Sequence, residues 1–305
     1  MASLFKKLAQ QQQGSAIVFV SISMLVLLSM TGLVMDVGTV YVEKTHMQKA
    51  ANAAALSGAQ ELMNSEAAVK TVVNQIIADH QEEDSLVDTT IEDDNKVGVD
   101  ISKAVPLTFA GLFGQNTADV DVHAAAEVMV MGRATGVAPL GIDDSVQLEY
   151  NVTYKLKVDQ TEVEVGNFGV LALGGTGAKT YEDNLRFGYD NEIKINDKID
   201  TQTGNISGKT RSAVQERIDN CPNLSGDIHV RDCSRIILIP VYTPYNYESG
   251  QLKSVKVTGF AYFYITEPMS AHDTAITGKF IRRAGGGAGD SDAGDKGAYA
   301  IRLTE

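Results

Sequence analysis

Residues 15–35 read SAIVFVSISMLVLLSMTGLVM, and residues 36–59 continue as DVGTVYVEKTHMQKAANAAALSGA. The first stretch is 21 residues without a charge. As a helix it would be about 31 Å long, the thickness of a bilayer's hydrocarbon core. A cleaved signal has a shorter apolar region, about 7–15 residues, ahead of a small-residue cleavage site. A soluble core helix of this length would show one polar face, yet only Ser, Thr and Gly interrupt the apolar residues here. The stretch predicts a membrane-spanning helix.

Beyond it, Val37, Val40, Tyr41, Met47, Ala51, Ala54, Ala55 and Ala59 recur at helical spacing. The spanning helix is therefore expected to continue outward as one rod. The small side chains of residues 50–59 would let another helix approach closely. Alanine is also the strongest helix former, which explains the same run without any partner. Asp36 stands at the outer edge of the apolar run, where a carboxylate is costly to submerge and is best held at the interface or by a partner's donor. Asp36, Gly38, Tyr41, Ala51, Ala54 and Ala55 are thus the candidate residues for docking against a second membrane helix.

Charge sets the expected orientation. Lys6 and Lys7 precede the span, while Asp36 and Glu43 follow it. The positive-inside rule puts residues 1–14 in the cytoplasm and residues 38–305 outside, with residues 15–35 crossing. The 305-residue chain has a formal net charge of −13, and residues 1–37 carry +1 of it, leaving −14 on the rest. Such a surface repels nucleic acid, because binding phosphates needs basic groups. The length suits one or two soluble units besides an anchor.

The same N-terminal stretch resembles the TadG-like proteins of Tad/Flp pilus assembly. The residues that carry the resemblance are Gly14 before the span, Asp36 and Gly38 after it, and the aromatic Tyr41. The run Gln48, Ala50, Ala51, Ala53, Ala54, Ala55, Leu56, Gly58 and Ala59 completes it, with Asn52 where the family usually has an acid. A looser similarity runs through residues 97–128, and a motif-level one through the C-terminal part of clostridial members. The resemblance implies a structural protein of the envelope, held by its helix. Some relatives are cut after a glycine that is followed five residues on by Glu. That position after Gly14 is Phe19, so an uncleaved anchor is expected.

Farther on, residues 65–83 predict an amphipathic helix with Ser65 as N-cap and Val69, Val72, Val73, Ile76 and Ile77 as its stripe. Residues 86–94 and 97–101 predict a hairpin about Asn95 and Lys96. Pro106 is expected to open a short helix in PLTFAGLFG. Residues 118–131 predict a long strand with Val120, Val122, Val128 and Val130 on one face. The Gly- and Pro-containing joint at residues 132–144 is the expected linker. It separates a helical rod with an α+β module (residues 36–131) from a β-rich domain (residues 145–305).

In the second part, Val146, Leu148, Tyr150, Val152, Tyr154, Leu156 and Val158 alternate along one expected strand. RIILIPVYTP, SVKVTGFAYFYIT and AITGKFIRR supply three more, with short helices near 178–187 and 209–219. The whole reads as an α+β protein: a transmembrane helix continuing as a rod, a mixed module, and a β-rich domain. Cys221 and Cys233, twelve residues apart and outside the cytoplasm, read as a local disulfide, the alternative being two unpaired thiols.

Chemistry-bearing motifs are weak. GGTGAKT (residues 174–180) resembles a phosphate-binding loop, but Ala178 stands where the glycine before the lysine is required. A Gly-rich turn ahead of a short helix is the expectation. Asp290, Asp292 and Asp295 lie in a Gly-rich run that could offer oxygens to calcium, although it lacks the bidentate Glu and spacing of an EF-hand. A solvated loop is the default. The five histidines are scattered, with neither an HExxH pair nor a GxSxG elbow. Neither an enzyme nor a cofactor is expected. The function read here is a membrane-anchored extracellular structural component of pilus assembly or the envelope. Its expected partners are the lipid bilayer and assembly proteins that meet the N-terminal helix; self-association is compatible with the same face. An adhesin-like binding module is the first alternative and an envelope hydrolase the second.

Overall fold

A 49-residue helix, α1 (Gln12–Gln60), runs unbroken through both halves of the opening sequence. The computed structural model describes residues 12–157, 168–202, 206–222, 226–248 and 251–304. Lys6, Lys7 and Val158, named above, lie outside the described residues. After α1 come α2 (Glu66–Asp79), β1 (Leu86–Glu92), β2 (Lys96–Pro106) and β3 (Thr117–Ala134). Then follow β4 (Leu140–Asp143), β5 (Thr153–Lys157), β6 (Phe168–Val170), α3 (Ala178–Phe187), β7 (Ile193–Lys194), β8 (Lys198–Asp200) and α4 (Ser207–Asn220). The chain closes with β9 (Ile236–Glu248), β10 (Gln251–Ile265), β11 (Ala275–Ile281), β12 (Arg283–Gly285), β13 (Ala288–Gly289) and β14 (Ala298–Leu303).

Among the described residues these strands form two sheets. The first has the order β1-β2-β3-β14-β12, with β13 and β7 also paired to β3. Its hairpin turns at Asp93 and Asp94, both with positive φ, conformations that Asp tolerates better than most residues and that suit the twist of tight hairpins. The turn thus comprises residues 93–95, so Asn95 lies in it while Lys96 already opens β2, which continues as far as Pro106. Period-2 alternation puts Val97, Val99 and Ile101 of β2 and Val120, Val122, Ala124, Ala126 and Val128 of β3 in one core. The outer half of α1 covers that face with Met47, Ala50, Ala51, Ala54, Ala55 and Ala59, and α2 joins through Val69, Val73 and Ile77. Alanine makes this possible because a helix without bulky side chains lies close to the strands; Gly58 is as tight, since a Cβ there would come within 2.8 Å of Val73. Ser65 caps α2, its Oγ accepting from the Ala68 N–H at 3.2 Å.

The second sheet has the order β5-β11-β10-β9-β4-β6, with β8 on β10. Its central strands are buried on both faces. Ile237, Ile239 and Val241 of β9 and Ala261, Phe263 and Ile265 of β10 face α3 and α4, meeting Tyr181, Leu185, Ala213 and Val214. The alternate residues Leu238, Phe260, Tyr262 and Tyr264 meet Met131 and Ala134 at the far end of β3. One strand, β3, therefore contributes to both cores.

Three expectations need correction. The long strand expected over residues 146–158 is only β5: Asn151 takes a left-handed φ of 63°, and Val146, Leu148 and Tyr150 pack on the core from an irregular segment. Apolar alternation had reported contact with a core, not extended backbone. Pro106 ends β2 and does not open a helix; a single 3-10 turn follows at Ala110–Phe113. The run after Arg283 is no plain loop, because β12, β13 and β14 return to the first sheet, with β14 antiparallel to β3 from Tyr299↔Val130 to Leu303↔Ala126. The chain does pass between sheets at residues 132–144, but the two layers are not two consecutive stretches of chain.

Candidate interface at the membrane edge

From Ala16 to Met35, Gly32 apart, α1 has almost nothing from its own chain around it. Ile17, Phe19, Leu25, Leu28, Leu33 and Met35 are all exposed, and this is the one helix among the described residues long and apolar enough to cross a membrane. Its hydroxyls turn inward. Ser21, Ser29 and Thr31 donate to the carbonyls of Ile17, Leu25 and Leu27 at 2.8, 2.8 and 2.6 Å. In hydrocarbon, where no water can serve these groups, that internal bonding is what allows them.

At the end of the span the helix is gripped by the rest of the molecule at Asp36, only 5% exposed. Its Oδ1 accepts the Thr108 N–H at 2.9 Å, and its Oδ2 accepts those of Phe109 and Ala110 at 2.9 and 2.7 Å. The donor that a carboxylate at this depth requires is therefore the chain's own β2–β3 loop. One turn inward, Gly32 leaves the space that Phe109 fills: a Cβ there would lie 2.4 Å from its ring. The loop is closed at its base by the Leu107 N–H to Asn116 O bond of 2.8 Å. Gly114, with φ 92°, ends the 3-10 turn as few other residues could. Leu112 and Phe113 at the tip are 80% and 77% exposed.

Farther out, Glu82 joins three elements. It is 2% exposed, and its carboxylate accepts from Ser85 Oγ at 2.8 Å and from Lys103 Nζ at 3.1 Å to each oxygen. His46 Nδ1 of α1 lies 3.1 Å away, and Lys103 also pairs with Glu43 of α1. Burial would raise the Glu82 pKa, but the bonds from Ser85, Lys103 and His46 outweigh it and hold the carboxyl below its ordinary value. Lys103 is held above its ordinary value, chiefly by Glu43, with Glu82 adding to it against the opposing effect of burial.

The predicted docking residues divide. Ala51, Ala54 and Ala55 are fully buried against the chain's own α2 and first sheet, so that face of α1 is already taken. Gly38 and Tyr41 stay open: nothing lies within 4 Å of a Cβ placed on Gly38, and Tyr41 is exposed. Cys221 and Cys233 are joined in a disulfide. Within that cross-linked loop Arg231 reaches back to α1, its Nη2 3.0 Å from Glu61 and 3.2 Å from the Ser57 carbonyl. The loop thus braces the outer end of the rod.

The weak motifs do not assemble. Asp290, Asp292 and Asp295 serve their own turn: Asp290 accepts from the Asp292 N–H, and Asp295 from the Gly297 N–H and the Tyr299 hydroxyl. Among the described residues no group of three His, Cys, Asp or Glu could hold a metal ion. In the Gly-rich segment before α3, the Gly177 N–H is occupied by Gln202 Oε1 at 3.0 Å, and Gly174, Gly175 and Gly177 all have positive φ, as a tight turn requires. What residue spacing missed was the meeting of Asp36, Gly32 and Phe109. The available signal was a carboxylate and a glycine one helical turn apart, with an uncharged apolar loop elsewhere in the chain.

An anchor helix whose outer half is the core of a small α/β layer defines a membrane-anchored head protein. The comparisons with known proteins specify it further. Residues 14–61 match the family described as Flp pilus-assembly TadE/G-like, and residues 38–126 match the one described as Tad-like Flp pilus-assembly. Together the two matches cover residues 14–126, which are α1 almost entirely, α2, the first hairpin and the start of β3, and over that stretch the chain is similar to TadG-like Tad proteins. No curated protein and no solved structure matches.

Proposed function

We propose that this chain is a non-catalytic structural component of a Tad/Flp pilus-assembly apparatus. Residues 1–14 lie in the cytoplasm and residues 38–305 outside. The observation that carries the reading is the coincidence of three features in α1: a family match, an uncharged and almost wholly exposed span, and an outer half built into the folded head. The disulfide supports export, since such bonds persist in oxidising compartments. Contacts with other assembly proteins fall on the open side of the helix at Val34, Gly38 and Tyr41, because the alanine side is covered.

The test is a photo-crosslinking residue at Tyr41 in cells, with the same residue at Phe187 on the far layer as reference. Adducts with pilus-assembly proteins at Tyr41 but not at Phe187 are the expected result. Adducts with none of them at either site, in cells that still assemble pili after the gene is removed, would overturn the reading.

A further inference from the structure

We propose that the β2–β3 loop, residues 107–113, is a second membrane contact, a wedge of Leu112 and Phe113 seated in the outer leaflet beside the spanning helix. The proposal rests on the membrane-anchored reading above and adds a lipid-binding site that the helix alone does not provide.

Placement comes first. Phe109 packs on Gly32, which lies three residues inside the end of the apolar run, and the loop backbone is bonded to Asp36 one turn farther out. Those four residues span about 6 Å along the helix axis. The loop therefore lies at the depth where hydrocarbon gives way to headgroups, held there by side-chain packing and three hydrogen bonds. Its composition fits that depth. Residues 104–118 contain no charged side chain, in a part of the chain that is otherwise strongly acidic. The tip presents Leu112 and Phe113 to the outside, the two most exposed large apolar side chains among the described residues. Apolar residues cost least when removed from water, and here the bilayer is the adjoining apolar phase. The hydrogen-bonded Asp36 is then the device that fixes the wedge to the span, so that head and helix meet the membrane as one rigid piece. Lipid is the occupant this geometry favours over a second copy or another protein, because the apolar surface of the loop is continuous with that of the spanning helix.

The chain has no Trp, so a single substitution supplies the sole indole. The experiment uses the full chain in phosphatidylcholine vesicles with the variants Phe113→Trp, Val26→Trp at mid-span and Phe187→Trp on the far layer. Acyl chains brominated at shallow or deep positions serve as quenchers. Phe113→Trp should emit blue-shifted and be quenched more by the shallow label than the deep one. Val26→Trp should show the reverse order, and Phe187→Trp should be quenched by neither. Quenching of Val26→Trp but not of Phe113→Trp would overturn the wedge and leave the anchor standing. No quenching of either would overturn both. A blue shift of Phe113→Trp that depends on protein density and is insensitive to brominated lipid would mean that a second copy covers the loop, and would also overturn the wedge.

Discussion

The two halves of α1 share a backbone conformation and little else. From Ala16 to Met35 the helix is mostly large apolar side chains that, apart from the Gly32–Phe109 contact, meet almost nothing in the molecule, and from Met47 to Ala59 it buries one face made mainly of alanine. In the inner half bulk is useful because lipid is the solvent, and a helix needs only length and an absence of charge. In the outer half bulk would be harmful, because the sheet lies where larger side chains would go. Between them, Asp36 and Glu82 mark where the environment changes: each is a carboxylate whose partners lie on other elements. Side-chain size along a helix thus reports the nature of its neighbour, solvent-like lipid or fixed protein.

The strongest way to break this comparison is to exchange what each half tolerates. Leu27→Arg places a charge near the centre of the span, worth about 2.5–3.5 kcal/mol against insertion. The expected outcome is a shift of the full chain from the membrane fraction after alkaline extraction, with little change in a folded head. Ala54→Leu retains a strong helix former but overpacks the sheet, and should cost about 1–3 kcal/mol in the urea unfolding of the head in micelles. An unchanged midpoint would mean that the alanine face is not packed as described. The disulfide sharpens the outer side of the comparison: in the chain-entropy model, closing so short a loop is worth about 3 kcal/mol at most. Cys221→Ser with Cys233→Ser should lower the melting temperature and loosen the Arg231–Glu61 contact, seen as faster hydrogen exchange near residues 57–61.

A smaller effect concerns acid. Because Glu82 is held below its ordinary value of 4.5, its contribution is complete above that pH and is lost as pH falls through the lower folded value. Glu82→Gln should therefore flatten the fall in melting temperature on the acid side, below about pH 4.5, while lowering stability at neutral pH. Last, Leu25→Ala should leave the head's melting temperature unchanged, since nothing in the head touches that side chain.

Much was legible without a structure wherever the signal was local. The uncharged run, the continuation of helical spacing past Asp36, the Ser65 cap, and the helices at 178–187 and 207–220 depend on residues within a few turns of one another. The cysteine pair was legible because twelve residues is a short closure. The family resemblance rested on the same local stretch. Periodicity also showed that residues 50–59 have a special face, because burial imposes a period on sequence. It could not show what covers that face. Alanine at helical spacing suits a second membrane helix and a sheet of the same chain equally well.

What tertiary structure decided were the long-range pairings. Thr108 lies 72 residues beyond Asp36, and β14 reaches β3 from the far end of the chain. No spacing rule connects such positions, because their contact depends on how all the intervening elements pack. The irregular segment at residues 146–151 shows the same limit from the other side: alternating apolar residues record which side chains are buried, while the backbone path among them is set by Asn151 and by the neighbouring strands. The sequence by itself determined a helix that can leave water at one end and the elements of a head at the other. Only the folded chain decided that the head grips the helix at Asp36, since hydrogen bonds between distant residues form once packing has brought donor and acceptor together.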